Sequence, residues 1–77
     1  MDVTPTELSG VLLIQPTVRV DSRGSFTEIY RKVDYSDLIG IDVQFLQDNF
    51  SSSSKGVLRG LHYQKKNPQG KLVTCLS

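Results

Sequence analysis

Gly10-Val11-Leu12-Leu13-Ile14-Gln15-Pro16-Thr17-Val18-Arg19-Val20-Asp21-Ser22-Arg23-Gly24-Ser25-Phe26-Thr27-Glu28 is the stretch on which the fold class turns. Its apolar run breaks at Pro16, which has no N–H to give a central ladder, so the pattern predicts two short strands. Asp21 to Ser25 is built from residues that tolerate tight backbone and predicts a turn. Alternation resumes at Phe26-Thr27-Glu28-Ile29-Tyr30, placing Glu28 on one face with two aromatic rings. The composition agrees, with no alanine and 17 residues of Val, Ile and Thr, a balance that favours pleated surfaces over helices. An all-β class follows.

Farther along the chain, Asp34 is placed to cap a short helix through Tyr35-Ser36-Asp37-Leu38-Ile39, with Gly40 closing it in the left-handed conformation. Val43 to Asn49 alternates and predicts another strand, with polar and apolar residues on both faces. Ser51 to Gly56 is a solvated connection, and Val57 to Gln64 is a strand interrupted by Gly60. Asn67-Pro68-Gln69-Gly70 is a turn, and Lys71 to Ser77 alternates after it. That last apolar strand has no turn, cap or polar tail behind it, and an unprotected strand edge is a template for aggregation, so the pattern predicts a fragment. No repeat and no internal boundary is visible.

At 77 residues and 8.6 kDa the chain holds one domain at most. A chain this short buries only about 60 to 65% of its unfolded surface. Leu, Val, Ile and Phe supply 24 residues, enough to drive burial. Nine basic and eight acidic side chains leave a net charge of +1 with no basic stripe, which argues against nucleic acid or an anionic membrane as partner. No apolar run approaches the roughly 20 residues of a membrane span, and Met1 to Pro5 lacks the features of a signal peptide. The expected location is cytoplasmic. Cys75 is the single cysteine, so no internal disulfide forms, and its apolar strand predicts a buried, inert thiol.

The densest chemical cluster is Arg59-Gly60-Leu61-His62-Tyr63-Gln64, followed nine residues after the histidine by Lys71. A guanidinium binds phosphate in two-point fashion, an imidazole moves protons near neutral pH, and an ammonium steadies a developing oxyanion. Together they point to chemistry on an anionic substrate. The alternative is a satisfied strand histidine between two solvated cations. Arg59 and His62 differ in strand parity, so a bulge at Gly60 is the expected device for bringing them to one face. One histidine and one cysteine, 13 residues apart, make no metal-ligand pattern. Neither glycine-rich phosphate loop motif is present.

Five blocks in order carry a family resemblance: Gly10 to Ile14, Asp21 to Glu28, Gln47-Asp48-Asn49, Lys55 to Gln64, and Pro68 to Val73. They closely resemble the dTDP-4-dehydrorhamnose 3,5-epimerases, over nearly the whole chain but only for the N-terminal part of the family's length. The resemblance implies a partial cupin-type jelly roll of antiparallel strands with one short helix. Residues 1–77 would then be the N-terminal portion of a single cupin-like epimerase domain, its C-terminal portion absent. It also implies a homodimer with no metal or other cofactor, acting on a dTDP-linked 4-keto-6-deoxy sugar in the route to dTDP-L-rhamnose. By similarity His62 is the base that removes the hydrogens beside the carbonyl, and Lys71 is the cation near the C4 oxygen. Arg23 and Arg59 match positions that hold the diphosphate and sugar. Glu28, Gln47 and Asn49 match nucleotide or sugar contacts, and Phe26 matches an aromatic near the thymine. The family's general acid, a tyrosine, and the acidic partner of the histidine fall beyond residue 77. A 3-only or 5-only epimerase shares these motifs, and a ligand-binding β fragment without activity is the remaining alternative.

Overall fold

Four short strands and one helix, all within the first 39 residues, make up the regular structure of this computed structural model, which describes residues 1–77. The strands are β1 (Asp2–Pro5), β2 (Leu12–Gln15), β3 (Val18–Asp21) and β4 (Gly24–Thr27), and the helix is α1 (Lys32–Ile39). β1 pairs antiparallel with β2 and β3 with β4, giving two separate two-stranded sheets. Pro16 separates β2 from β3, as its missing N–H requires. The strands are therefore antiparallel and accompanied by one short helix, as the composition and patterning indicate.

The first hairpin is held at its loop by Thr6, whose hydroxyl donates to the carbonyls of Val11 at 2.9 Å and Leu8 at 3.1 Å. β1 was not among the strands expected from the sequence. In a two-stranded sheet both strands are edges, so Pro5 sits opposite Leu12 without depriving a central ladder of a donor. Val3 faces Ile14 across the pair, and these two are the half-buried residues of the hairpin. The second hairpin turns tightly through Ser22-Arg23, with Asp21 opposite Gly24 and Gly24 at φ 133°, a backbone setting that disfavours any side chain.

α1 begins one turn earlier than the sequence suggested. Arg31 occupies the cap position in an extended conformation without a side-chain cap bond, while Asp34 lies inside the first turn. A carboxylate there still favours the positive end of the helix, and it pairs with Arg31 at 3.8 Å. Gly40 closes the helix in the left-handed conformation at φ 84°, donating its N–H to the Ser36 carbonyl at 2.8 Å.

Tyr35 is the one buried residue and one end of an aromatic cluster with Tyr30 at its centre. Its ring packs on Tyr30 at 5.1 Å, Tyr30 meets Phe45 edge-on at 5.7 Å, and its hydroxyl donates to the Ile29 carbonyl at 3.0 Å. The Ser36 hydroxyl accepts the Val43 N–H at 3.1 Å and ties the chain after the helix back to it. An aromatic ring with a satisfied polar tip suits such a position.

The strands expected over Val43 to Asn49, Val57 to Gln64 and Lys71 to Ser77 are not formed; residues 43–77 contain no helix or strand. No ladder runs through Gly60, so the expected bulge has nothing to interrupt. Asn67 takes the left-handed conformation at φ 53° at the end of a bend over residues 65–67, and the turn expected over Asn67 to Gly70 is not formed. Cys75 is exposed rather than buried, because the strand that would have covered it has no neighbours. The chain exposes 7935 Å² where a compact protein of its mass exposes about 4,700 Å². Its radius of gyration is 15.1 Å, between roughly 11 Å for a compact chain of this length and roughly 27 Å for an unfolded one.

Candidate functional site

The two-residue turn at Ser22-Arg23 sets the register of the second hairpin and thereby the face of its side chains. Asp21 opposite Gly24 places Arg19 opposite Phe26, and cross-strand partners share a face. Continuing the same register past the strand ends brings Thr17 and Glu28 to that face. These residues line a cleft of about 310 Å³ together with Arg31, Asp34 and Tyr35 of the helix region. Phe26 and Glu28 thus meet in one cavity, at the small end of ligand-sized pockets. Arg19, Arg31, Asp34 and Tyr35 were not among the site residues expected from the sequence. The signal for Arg19 was the turn length, which decides which strand positions face each other.

Arg23 lies on the turn itself, outside that lining. Its Nη2 donates to Asp21 Oδ2 at 2.6 Å, its Nε to Asp21 Oδ1 at 3.4 Å, and its backbone N–H to the same Oδ1 at 2.8 Å. The Arg23 guanidinium, and then its backbone N–H, hold the Asp21 carboxyl below the usual carboxylate range. Asp21 in turn pushes the guanidinium above its already high value, so both groups stay ionised at neutral pH.

Gln47 and Asn49 are joined by a hydrogen bond, Gln47 Nε2 to Asn49 Oδ1 at 3.2 Å. They lie two and four residues beyond Phe45, whose ring meets Tyr30 edge-on. Arg59 reaches back to the serine run, with Nε donating to Ser53 Oγ at 2.8 Å and Nη2 to the Ser52 carbonyl at 3.0 Å. His62 and Lys71 are exposed and make no side-chain hydrogen bond or ion pair in this chain. No cluster of three or more His, Cys, Asp or Glu side chains capable of holding a metal ion occurs. No helix is long and apolar enough to cross a membrane. The structure therefore gathers Phe26 with Glu28 and Gln47 with Asn49, while Arg23, Arg59, His62 and Lys71 stand apart.

The profile of the dTDP-4-dehydrorhamnose 3,5-epimerase family matches residues 5–77. The dTDP-4-dehydrorhamnose 3,5-epimerase of Shigella flexneri is 48% identical over 77 residues, covering 99% of this chain and 42% of the relative. That of Salmonella typhimurium is 50% identical over 76 residues, covering 97% and 42%. The archaeal protein of the same name from Methanothermobacter thermautotrophicus is 48% identical over 71 residues, covering 92% and 38%. The chain spans about two-fifths of the length of these curated relatives. No solved structure matches it. Identity near one half over almost the whole chain, with the family match over residues 5–77, places it in a family that its hairpins alone would not distinguish: it belongs to the dTDP-4-dehydrorhamnose 3,5-epimerases.

Proposed function

We propose that the protein to which these residues belong is a sugar-nucleotide epimerase acting on dTDP-4-dehydro-6-deoxy-D-glucose at C3 and C5, in dTDP-L-rhamnose biosynthesis. The observation that carries this reading is the family match over residues 5–77, which includes every candidate from Arg23 to Lys71. Hydrogens at C3 and C5 flank the C4 ketone and are acidic. His62 takes such a proton, the electron pair of the broken C–H bond moves onto the C4 oxygen, and the Lys71 ammonium offsets the enolate charge. Reprotonation from the opposite face inverts the centre, which needs an acid across the sugar from His62. Arg23 and Arg59 hold the diphosphate and sugar, Glu28, Gln47 and Asn49 contact nucleotide or sugar, and Phe26 packs near the thymine.

The same reading makes residues 1–77 the N-terminal portion of one cupin-like domain, working as a cytoplasmic homodimer without cofactor. Exposed apolar side chains support it: Leu58 is 91% exposed, Leu61 wholly so and Val73 85% exposed, a state that burial in a larger sheet would relieve.

Deuterium incorporation tests the function. The 77-residue chain is incubated with dTDP-4-keto-6-deoxyglucose in heavy water, and the sugar is followed by mass spectrometry. Exchange above a His62→Asn control is the expected result once the chain is extended to the relatives' length, since exchange needs a base and an enolate stabiliser on one substrate and His62 and Lys71 stand apart in residues 1–77. Absence of exchange, both here and after the chain is extended to the relatives' length, sinks the epimerase reading and leaves a ligand-binding β protein.

A further inference from the structure

The Asp21–Arg23 pair has a geometry that the exposure of its members alone would not lead one to expect. A guanidinium carries five N–H donors on two usable edges, a side-on edge of Nε with Nη2 and an end-on edge of Nη1 with Nη2. Asp21 occupies the side-on edge with both carboxylate oxygens, at 3.4 and 2.6 Å. The same carboxylate also accepts the Arg23 backbone N–H at 2.8 Å, so one side chain fixes both the turn and the guanidinium it carries. The end-on edge keeps one hydrogen on Nη1 and one on Nη2. It opens to solvent, the Arg23 side chain being 88% exposed, and no second carboxylate pairs with it.

Arg59 independently repeats the arrangement with neutral partners. Its Nε and Nη2 are taken by Ser53 Oγ and the Ser52 carbonyl, and its end-on edge is again free. Two arginines held by the same edge, each leaving the fork that matches a phosphate oxygen pair, form a pattern suited to an oxyanion.

We infer that Asp21 is a positioning residue for Arg23, holding the guanidinium at the β3–β4 turn so that its end-on edge meets a diphosphate oxyanion in two-point fashion. The inference rests on the reading of Arg23 as a diphosphate-binding group. It adds that a carboxylate beside the site strengthens anion binding. A charge argument alone predicts the reverse, because Asp21 is itself negative.

Inorganic pyrophosphate binding to the 77-residue chain, measured by calorimetry, decides between the two. Asp21→Asn keeps an oxygen for the Arg23 backbone N–H and removes the charge-assisted fork. Binding is expected to weaken about fivefold, the size of ordering one rotamer-rich side chain. Unchanged or tighter binding overturns the inference, as does a parent chain that binds no pyrophosphate. In an Arg23→Gln background Asp21→Asn is expected to have no effect, and a remaining loss there means that Asp21 acts through something other than Arg23. A measurement on the parent chain needs no variant: the Arg23 Nε–H resonance should stay protected from exchange at pyrophosphate saturation. Its loss on binding shows that Asp21 lets go, which also overturns the inference. Pyrophosphate contains no sugar, so a failure of deuterium exchange in both the 77-residue and the extended chain, with intact pyrophosphate results, sinks the epimerase reading alone, and the converse sinks only the role of Asp21.

Discussion

Residues 2–39 and residues 43–77 have similar strand-forming patterns and opposite outcomes. The first region forms two hairpins and a helix; the second forms no regular element. Connection length does not separate them: β3 and β4 are joined by two residues and β1 to β2 by six, while Val43 to Asn49, Val57 to Gln64 and Lys71 to Ser77 are separated by seven and six. The closing loops differ instead in chemistry, Thr6 bonding the Val11 and Leu8 carbonyls and Asp21 bonding the Arg23 N–H across the two turns that close. Strand propensity without a neighbouring ladder leaves the N–H and C=O groups to water. The chain accordingly has 17 backbone hydrogen bonds, where a domain of this size is expected to hold roughly 50.

The largest expected effect comes from supplying the missing neighbours. Extending the chain to the length of its relatives should raise hydrogen-exchange protection at Val57 to Gln64 and Lys71 to Ser77 by about a thousandfold or more, from near-zero opening energy to that of a packed sheet. Unchanged protection in the extended chain would break the comparison, because the second region would then be open for reasons of its own sequence.

A smaller effect sharpens it from the other side. Tyr35 is the single buried residue, so Tyr35→Ala should remove most of the helical signal in far-ultraviolet circular dichroism, the loss of a large buried ring costing about 3 kcal/mol. Tyr35→Phe keeps the ring and loses only the bond to the Ile29 carbonyl, with an expected cost of about 1 kcal/mol. Equal effects of the two substitutions would mean that the hydroxyl, not the aromatic packing with Tyr30, holds the first region together.

The smallest effect is electrostatic. In the folded hairpin the Asp21 carboxyl titrates below its usual range, so the ionised form contributes stability above the unfolded value, and that contribution is lost as pH falls through the lowered one. The amide resonances of Val20 and Ser25 should therefore move towards unpaired values on acidification, and Asp21→Asn should remove that step. Both groups are exposed, so the step should shrink with added salt. A transition that is indifferent to salt would point to another acid.

Much of the first region was legible from its residues. Pro16 divides β2 from β3, and Gly40 ends α1, because each is governed by backbone dihedrals that the residue itself restricts or permits. The family was legible too, since five ordered blocks are a more specific signal than any single motif. Less legible was β1, four residues ending on a proline, which pairs because its sheet has only two strands and both are edges. The cap at Arg31 was hidden because neighbouring packing around Tyr35, rather than a capping side chain, sets where the helix starts.

Local chemistry thus settled where this chain turns, breaks and ends its helix, and which residue types are available for proton transfer and anion binding. Which alternating segments became strands, which side chains share the cleft of Phe26 and Glu28, and which edge of Arg23 remains free all depended on pairing in space. Pairing trades loop entropy for hydrogen bonds and burial between residues distant in the chain, and no window of sequence shorter than that distance contains both sides of the trade.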